Sequence, residues 1–210
     1  MHQTQARILA TETSTVFSDL ETKSWVTHHR DYLPRDEAGA LFAWMQENTP
    51  WQVEAPIIMG KPREARRRTC AYGVPGLSYR YSGLDRVALA WPDIVRPLLG
   101  RLNDDFGVAF NFALCQLYPD GQAGIGTHAD DERDLVKNSP IVGLSLGATR
   151  DFILENRKGE RAAAVTLEHG SAVVMWGATQ RHYRHSVPPR KRVKTPRVSL
   201  TFRVMAGARA

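Results

Sequence analysis

Cysteine is scarce: Cys70 and Cys115 are the only two in 210 residues. Two thiols cannot build a disulfide framework or a four-thiolate zinc site, so both read as small, reduced, apolar residues. Long hydrophobic runs are missing as well, none approaching the length that spans a bilayer. The amino terminus lacks the basic start and apolar stretch of a secretory signal. A cytoplasmic protein is expected, or a nuclear one in a eukaryote. Internal repeats, low-complexity tracts and a second domain boundary are absent too. Acidic residues are the minority, 22 against 28 Lys and Arg, which gives a net charge of +6 and a pI near 9.6. With 42% hydrophobic and 24% charged residues, the composition is that of a soluble globular protein with room for one catalytic domain and its own core, and a monomer is expected.

The positive charge is concentrated. One cluster holds Lys61, Arg63, Arg66, Arg67 and Arg68; the other runs from Arg181 and Arg184 through Arg190, Lys191 and Arg192 to Lys194 and Arg197. Such clusters supply phosphate contacts, so nucleic acid is the expected partner. The first leads into Tyr72-Gly-Val-Pro-Gly-Leu-Ser-Tyr79-Arg-Tyr81-Ser-Gly. There Gly73, Pro75 and Gly76 mark a tight turn and Tyr79 and Tyr81 recur at strand spacing, predicting a basic, aromatic-bearing hairpin.

Periodicity outlines a fold that is α+β but mainly β. Residues 1–25 show no convincing period and read as a loosely held arm. After Pro34, with Asp36 and Glu37 in the first turn, Ala38, Leu41, Phe42 and Met45 predict an amphipathic helix. A second helix is expected from Pro92, with Ile94, Val95, Leu98, Leu99 and Leu102 as its buried stripe. Beyond Gly107 the pattern changes to short apolar segments near 109–118, 125–130, 141–147, 150–155, 164–167, 171–176, 182–187 and 197–204. Eight such strands fit a double-sheet jelly roll.

Two stretches carry chemistry. In His128-Ala129-Asp130 a strand would point both polar side chains the same way, and one further imidazole would complete a two-histidine, one-carboxylate set. His169, His182 and His185 are the candidates for that place. Three ligands on one face leave the opposite face of an octahedral ion open, as in non-haem Fe(II) oxygenases. Further on, Arg197-Val-Ser-Leu-Thr-Phe-Arg203 alternates as a half-buried strand with Arg197, Ser199, Thr201 and Arg203 on one side. At about 3.3 Å per residue the arginines stand roughly 20 Å apart at the backbone, so both must lean inward to bracket a five-carbon diacid. Arginine suits this because its planar fork binds carboxylate through paired, charge-assisted hydrogen bonds. A metal triad followed by this pair suggests a 2-oxoglutarate site.

From about residue 33 to 205 the chain resembles the AlkB family of Fe(II)- and 2-oxoglutarate-dependent dioxygenases, and looks closest to the branch of animal AlkB homologues two and three. The resemblance is carried by Phe110-Asn-Phe-Ala-Leu-Cys-Gln-Leu-Tyr-Pro-Asp-Gly, His128-Ala-Asp-Asp-Glu132, Ser139 to Phe152, His169-Gly-Ser171, His185-Ser-Val-Pro188 and Arg197 to Arg203. It implies a double-stranded β-helix core over residues 107–205 and a nucleotide-recognition hairpin lid over 57–83, within a single domain spanning 26–210. It also implies oxidative demethylation of N-alkylated bases such as 1-methyladenine and 3-methylcytosine in DNA, with RNA as the alternative substrate. In that reaction 2-oxoglutarate becomes succinate and CO2, O2 is consumed and formaldehyde is released.

The same resemblance assigns roles. His128, Asp130 and His185 would hold Fe(II), leaving His182 a packing residue. Arg197 and Tyr118 would take the distal carboxylate of 2-oxoglutarate, with Arg203 and Thr201 at the metal-proximal end. Gln116 stands where the family has Asn, one methylene shorter. Tyr81 and His128 would sandwich the damaged base, and Tyr79 and Glu132 would make polar contacts with it. Met59 occupies the place of an aromatic wedge, and an apolar Met can unstack bases. Lys61, Arg63, Arg190, Lys191 and Arg192 would contact phosphates, the last three resembling a segment that reaches the complementary strand and so implying access to both single- and double-stranded DNA.

Overall fold

Two antiparallel sheets face each other across the second half of the chain, and each takes four of the eight segments that alternate there. The computed structural model describes residues 13–55, 57–58, 61–62, 64–81 and 84–206. The eight core strands are β10 (Phe112–Tyr118), β11 (Ile125–His128), β12 (Ile141–Gly147), β13 (Arg150–Asn156), β14 (Arg161–Leu167), β15 (Ala172–Gly177), β16 (Tyr183–Val187) and β17 (Arg197–Arg203). Before them come β1 (Thr13–Asp19), β2 (Ser24–His29), α1 (Arg35–Asn48), β3 (Gln52–Val53), β4 (Ile57–Ile58), β5 (Lys61–Pro62), β6 (Arg68–Gly73), β7 (Ser78–Tyr81), β8 (Leu84–Val87), β9 (Leu89–Ala90) and α2 (Arg96–Phe106). The four-residue α3 (Thr179–His182) lies between β15 and β16.

The large sheet runs β1-β2-β15-β12-β17-β10-β6-β3, and the small one β11-β16-β13-β14. This is the jelly roll that the strand spacing predicts, widened at both edges of its large sheet. Both faces of the large sheet are covered, which is why β12 and β17 are almost wholly apolar or buried rather than cleanly alternating. On the outer face, Val142, Leu144, Leu146, Val198, Leu200 and Phe202 pack against Leu41 and Met45 of α1 and Leu98, Leu102 and Phe106 of α2. Between the sheets, Val26, Ile141, Val173 and Met175 meet Ile125, Phe152, Leu154, Leu167 and Val187.

Four expectations need correction. Residues 13–25 are not a loose arm: β1 and β2 form a hairpin that extends the large sheet beside β15. Only Val16 and Phe17 of β1 pack on the core, too few to stand out as a period. The helix expected from Pro92 starts at Arg96, because Pro92 first caps a turn by accepting the Val95 amide at 2.9 Å. The turn marked by Pro75 is present, with Gly76 at φ 90°. It joins β6 to β7 rather than pairing them, since β6 lies against β10 and β7 pairs with β8. Lastly, β11 ends at His128, so Asp130 lies beyond the strand on which the sequence places it.

Candidate active site

Register explains why one face of a central strand can hold an active site. Arg197, Ser199 and Thr201 of β17 stand opposite Tyr118, Gln116 and Leu114 of β10 on one side and Gly147, Ser145 and Gly143 of β12 on the other. Their neighbours Val198, Leu200 and Phe202 point into the helix-covered core, so the polar set is left facing the small sheet. The cleft between is closed by Ile125, His128, Phe152, His185 and Val187.

At one end His128, Asp130 and His185 each bring a ligand atom to within 4.8 Å of the others. His128 and His185 are cross-strand partners on β11 and β16, with ring centroids 4.3 Å apart. Nδ1 of His128 donates to the Gly126 carbonyl at 2.8 Å, which turns Nε2 toward Oδ1 of Asp130, 3.7 Å away. His185 stacks on Phe152 at 5.4 Å. Burial and the neighbouring His128 push its pKa down to about 3, so the ring is neutral and has a lone pair to give. Asp130 is charged for the opposite reason. Burial alone would raise its pKa, but the Arg203 guanidinium outweighs burial and holds it near 2. Arg203 binds Oδ2 through Nη2 at 2.8 Å and Nε at 3.3 Å, leaving Oδ1 toward the histidines.

The arginine pair is thereby divided. Arg203 gives Nη2 and Nε to Asp130 and Nη1 to the Thr201 carbonyl at 3.3 Å, and lies 5.0 Å over the Tyr79 ring, which places it at the metal end of the cleft. Arg197 is different. Its Nε donates to Ser145 Oγ at 2.8 Å and its guanidinium sits 5.0 Å over Tyr118, but Nη1 is buried without a hydrogen-bond partner among the described residues. Burial lowers its pKa, and the nearby Arg150 guanidinium pushes the same way. A desolvated cation with no anion is costly unless a ligand brings one. Gln116 Oε1 accepts the Tyr118 hydroxyl at 3.0 Å. The donor set suits a divalent ion at one end of the cleft and a carboxylate at the other.

Around the mouth, Tyr79 is buried against Phe112 and Arg203, and Glu132 has a buried Oε2 and a pKa raised by burial. Tyr79 stands opposite Arg86 across the β7–β8 hairpin, and Arg86 grips Glu54 at 2.6 and 2.7 Å, which fastens that hairpin to the root of β3. Lys61, Arg190, Lys191 and Arg192 are exposed. The loop carrying the last three is tied to Gly121, whose carbonyl accepts the Arg190 amide at 2.7 Å and whose amide donates to Val193 at 2.9 Å. Met59, Arg63 and the Tyr81 side chain lie outside the described residues. Of the other imidazoles, His169 accepts the Gly147 amide through Nδ1 at 2.8 Å and His182 closes α3. Neither belongs to the triad.

Sequence reasoning passed over Ser145, Phe152, Gln180 and Arg150. The last had a legible signal, an arginine opening a buried strand. It is fully buried, donates to the carbonyls of Ala123 at 2.6 Å and Pro188 at 2.8 Å, and so ties together the loops leading to and from the metal-bearing strands.

The chain matches the 2OG-Fe(II) oxygenase superfamily over residues 26–203. It belongs to that superfamily. Within it the oxygenase lies in the AlkB family. It is 40% identical over 178 residues to the DNA oxidative demethylase ALKBH2 of Mus musculus, covering 80% of this chain and 74% of that protein. To the Homo sapiens protein of the same name it is 39% identical, covering 80% and 68%. To the alpha-ketoglutarate-dependent dioxygenase alkB homolog 3 of Homo sapiens it is 31% identical over 182 residues, covering 80% and 62%. The solved structure of OsALKBH1 superposes with a TM-score of 0.60 at 17% identity, over 85% of this chain and 96% of that one, a likeness of fold. The oxygenase is accordingly an Fe(II)- and 2-oxoglutarate-dependent dioxygenase that uses O2.

Proposed function

We propose that this oxygenase reverses N-alkyl damage in DNA, returning bases such as 1-methyladenine and 3-methylcytosine to their unmodified form. The observation that carries this reading is one cleft holding a two-histidine, one-carboxylate cluster, an arginine paired with no carboxylate among the described residues, and a tyrosine- and carboxylate-bearing mouth. The 40% identity to a DNA oxidative demethylase supports it. Bound Fe(II), with 2-oxoglutarate and O2, supplies an oxidant strong enough to hydroxylate an N-methyl group; 2-oxoglutarate leaves as succinate and CO2, and the hydroxymethyl adduct on the base releases formaldehyde.

The chain's own residues do the holding and choosing. His128, Asp130 and His185 hold the ion, and Arg203 keeps the carboxylate of Asp130 charged and oriented. Arg197, aligned by Ser145, receives the distal carboxylate of 2-oxoglutarate with Tyr118, while Gln116 and Thr201 line its path. Tyr81 and His128 form the walls that receive a flipped base and Tyr79 makes a polar contact with it; stacking returns about 1–3 kcal/mol per base against an unstacking cost of a few. The preferred lesions are cationic, and Glu132 favours them; if Glu132→Gln leaves the preference for charged over neutral lesions unchanged, that role is wrong. Lys61, Arg63, Arg190, Lys191 and Arg192 contact phosphates and, with Met59 as wedge, give access to duplex as well as single strands. The 57–83 segment acts as lid on a monomeric, single-domain enzyme of the cytoplasm, or of the nucleus in a eukaryote. No helix of the described residues is long and apolar enough to cross a membrane.

The test is mass spectrometry of a 3-methylcytosine oligonucleotide, single-stranded and duplex, incubated aerobically with the protein and Fe(II), with and without 2-oxoglutarate. Loss of one methyl group that requires 2-oxoglutarate is expected on both forms. Succinate without methyl loss would point to another substrate, RNA first, and absence of both would leave a silent nucleic-acid-binding module.

A further inference from the structure

The metal cluster has a support that lies outside its own strands. His128 is the last residue of β11, paired with His185, and the chain then leaves the sheet. The pairing of β11 with β16 runs from Ile125 opposite Val187 to His128 opposite His185 and does not continue to Asp130. The Asp130 amide instead donates to Oε1 of Gln180, at 2.9 Å and 50 residues further along the chain. Gln180 is itself held from two sides: Nε2 reaches Met175 Sδ at 3.0 Å, and its carbonyl accepts Arg157 Nη2 at 2.8 Å. The same Arg157 nitrogen lies 3.3 Å from Asp131, so α3 is bound to the 130–131 segment through a second contact.

We propose that Gln180 is a positioning residue for the metal, replacing with its side-chain amide the strand partner that Asp130 lacks. Arg203 fixes where the Asp130 carboxylate points, and Gln180 fixes where its backbone stands. Together they hold Oδ1 against His128 and His185 before any ion arrives. Groups that orient metal ligands in this way are typically worth about 10- to 100-fold in metal affinity. This rests on the assignment of Asp130 as a ligand, and the experiment separates the two.

Mn(II) serves as the probe, titrated into the full chain by EPR with 2-oxoglutarate present, while the thermal midpoint and hydrogen exchange of the 126–134 segment are followed. Gln180→Met preserves length and volume without the acceptor. It should weaken Mn(II) binding by about 10- to 100-fold and speed exchange across 126–134, with the thermal midpoint little changed. Gln180→Asn keeps the amide one methylene short of its partner and should show the same loss, which carries the test if the Met variant does not fold. Mn(II) affinity within twofold of the parent in the folded variants overturns the proposal. Asp130→Ala run alongside separates the premises: if it too leaves Mn(II) affinity intact, the ligand assignment has failed rather than the role of Gln180. Demethylation of DNA does not enter the readout.

Discussion

Arg197 and Arg203 sit on one face of one strand, yet removing them should have opposite consequences. Arg197 is a buried cation bonded to the Ser145 hydroxyl and paired with no carboxylate among the described residues, whereas Arg203 neutralises a carboxylate that is itself 3% exposed. Arg197→Met removes a cation whose desolvation the protein does not offset, but strands the buried Ser145 hydroxyl, at a cost of about 1–3 kcal/mol. The two effects oppose each other, so the thermal midpoint without 2-oxoglutarate should move by only a few degrees, at roughly 2–4 °C per kcal/mol for a chain of this size. Cosubstrate affinity should collapse. Truncating one partner of a buried charged pair costs about 2–5 kcal/mol, which is a loss between about thirtyfold and several thousandfold at 1.36 kcal/mol per factor of ten. Arg203→Met leaves Asp130 buried and unpaired, which costs about 3–5 kcal/mol of folding stability and should lower the midpoint in EDTA by roughly 6–20 °C. Calorimetric titration of 2-oxoglutarate into Mn(II)-loaded protein, with thermal melts in EDTA, reads both quantities. The reasoning is refuted if the two variants destabilise the metal-free protein alike, or if Arg197→Met binds 2-oxoglutarate within about fivefold of the parent.

Asp130→Ala should abolish turnover while leaving affinity for a methylated oligonucleotide largely intact, as read by fluorescence anisotropy. At Gly121 an added Cβ would fall 1.9 Å from the Arg190 carbonyl oxygen, so Gly121→Ala must push the Arg190–Arg192 loop away. Duplex affinity should then drop severalfold and its salt dependence flatten, with Mn(II) binding unchanged; an unaltered salt slope would mean that the loop does not touch phosphate. Burial holds the pKa of His28 and of His29 below the usual 6.5, so folding favours their neutral forms. Their contribution to stability is complete above pH 6.5 and declines as pH falls below it. Urea midpoints should therefore fall between pH 8 and 5, and a His28→Asn, His29→Phe pair should flatten that decline apart from the share carried by His185.

What could be read in the sequence was whatever repeats locally. The eight core strands stand where short apolar segments recur, because a sheet buried between helices and a second sheet imposes that pattern on each strand separately. His128 and Asp130 were visible for their spacing, though the reason they converge is not the pleat, since the strand stops between them. The parts that went unread depend on partners far along the chain. β1 becomes a strand by lying against β2, Gln180 acquires a role only through an amide 50 residues away, and Arg150 is explained by loops at Ala123 and Pro188. Nothing in the linear order says that Arg203 also holds a carboxylate 73 residues earlier.

The place of β17 bears on when the molecule becomes reactive. It lies between β12 and β10, so the two parts of the large sheet have no pairing with each other until residues 197–203 arrive. Ribosomes deliver these residues after the other described strands, and pairings so distant in the chain form slowly. A nascent or shortened chain ending before β17 would carry the histidines of the metal cluster, yet would lack Arg203 to hold Asp130 and Arg197 to receive an anion. Closing the large sheet and furnishing the cleft with its two cations are therefore one event, since the strand that joins β10 to β12 is the strand that carries Arg197 and Arg203.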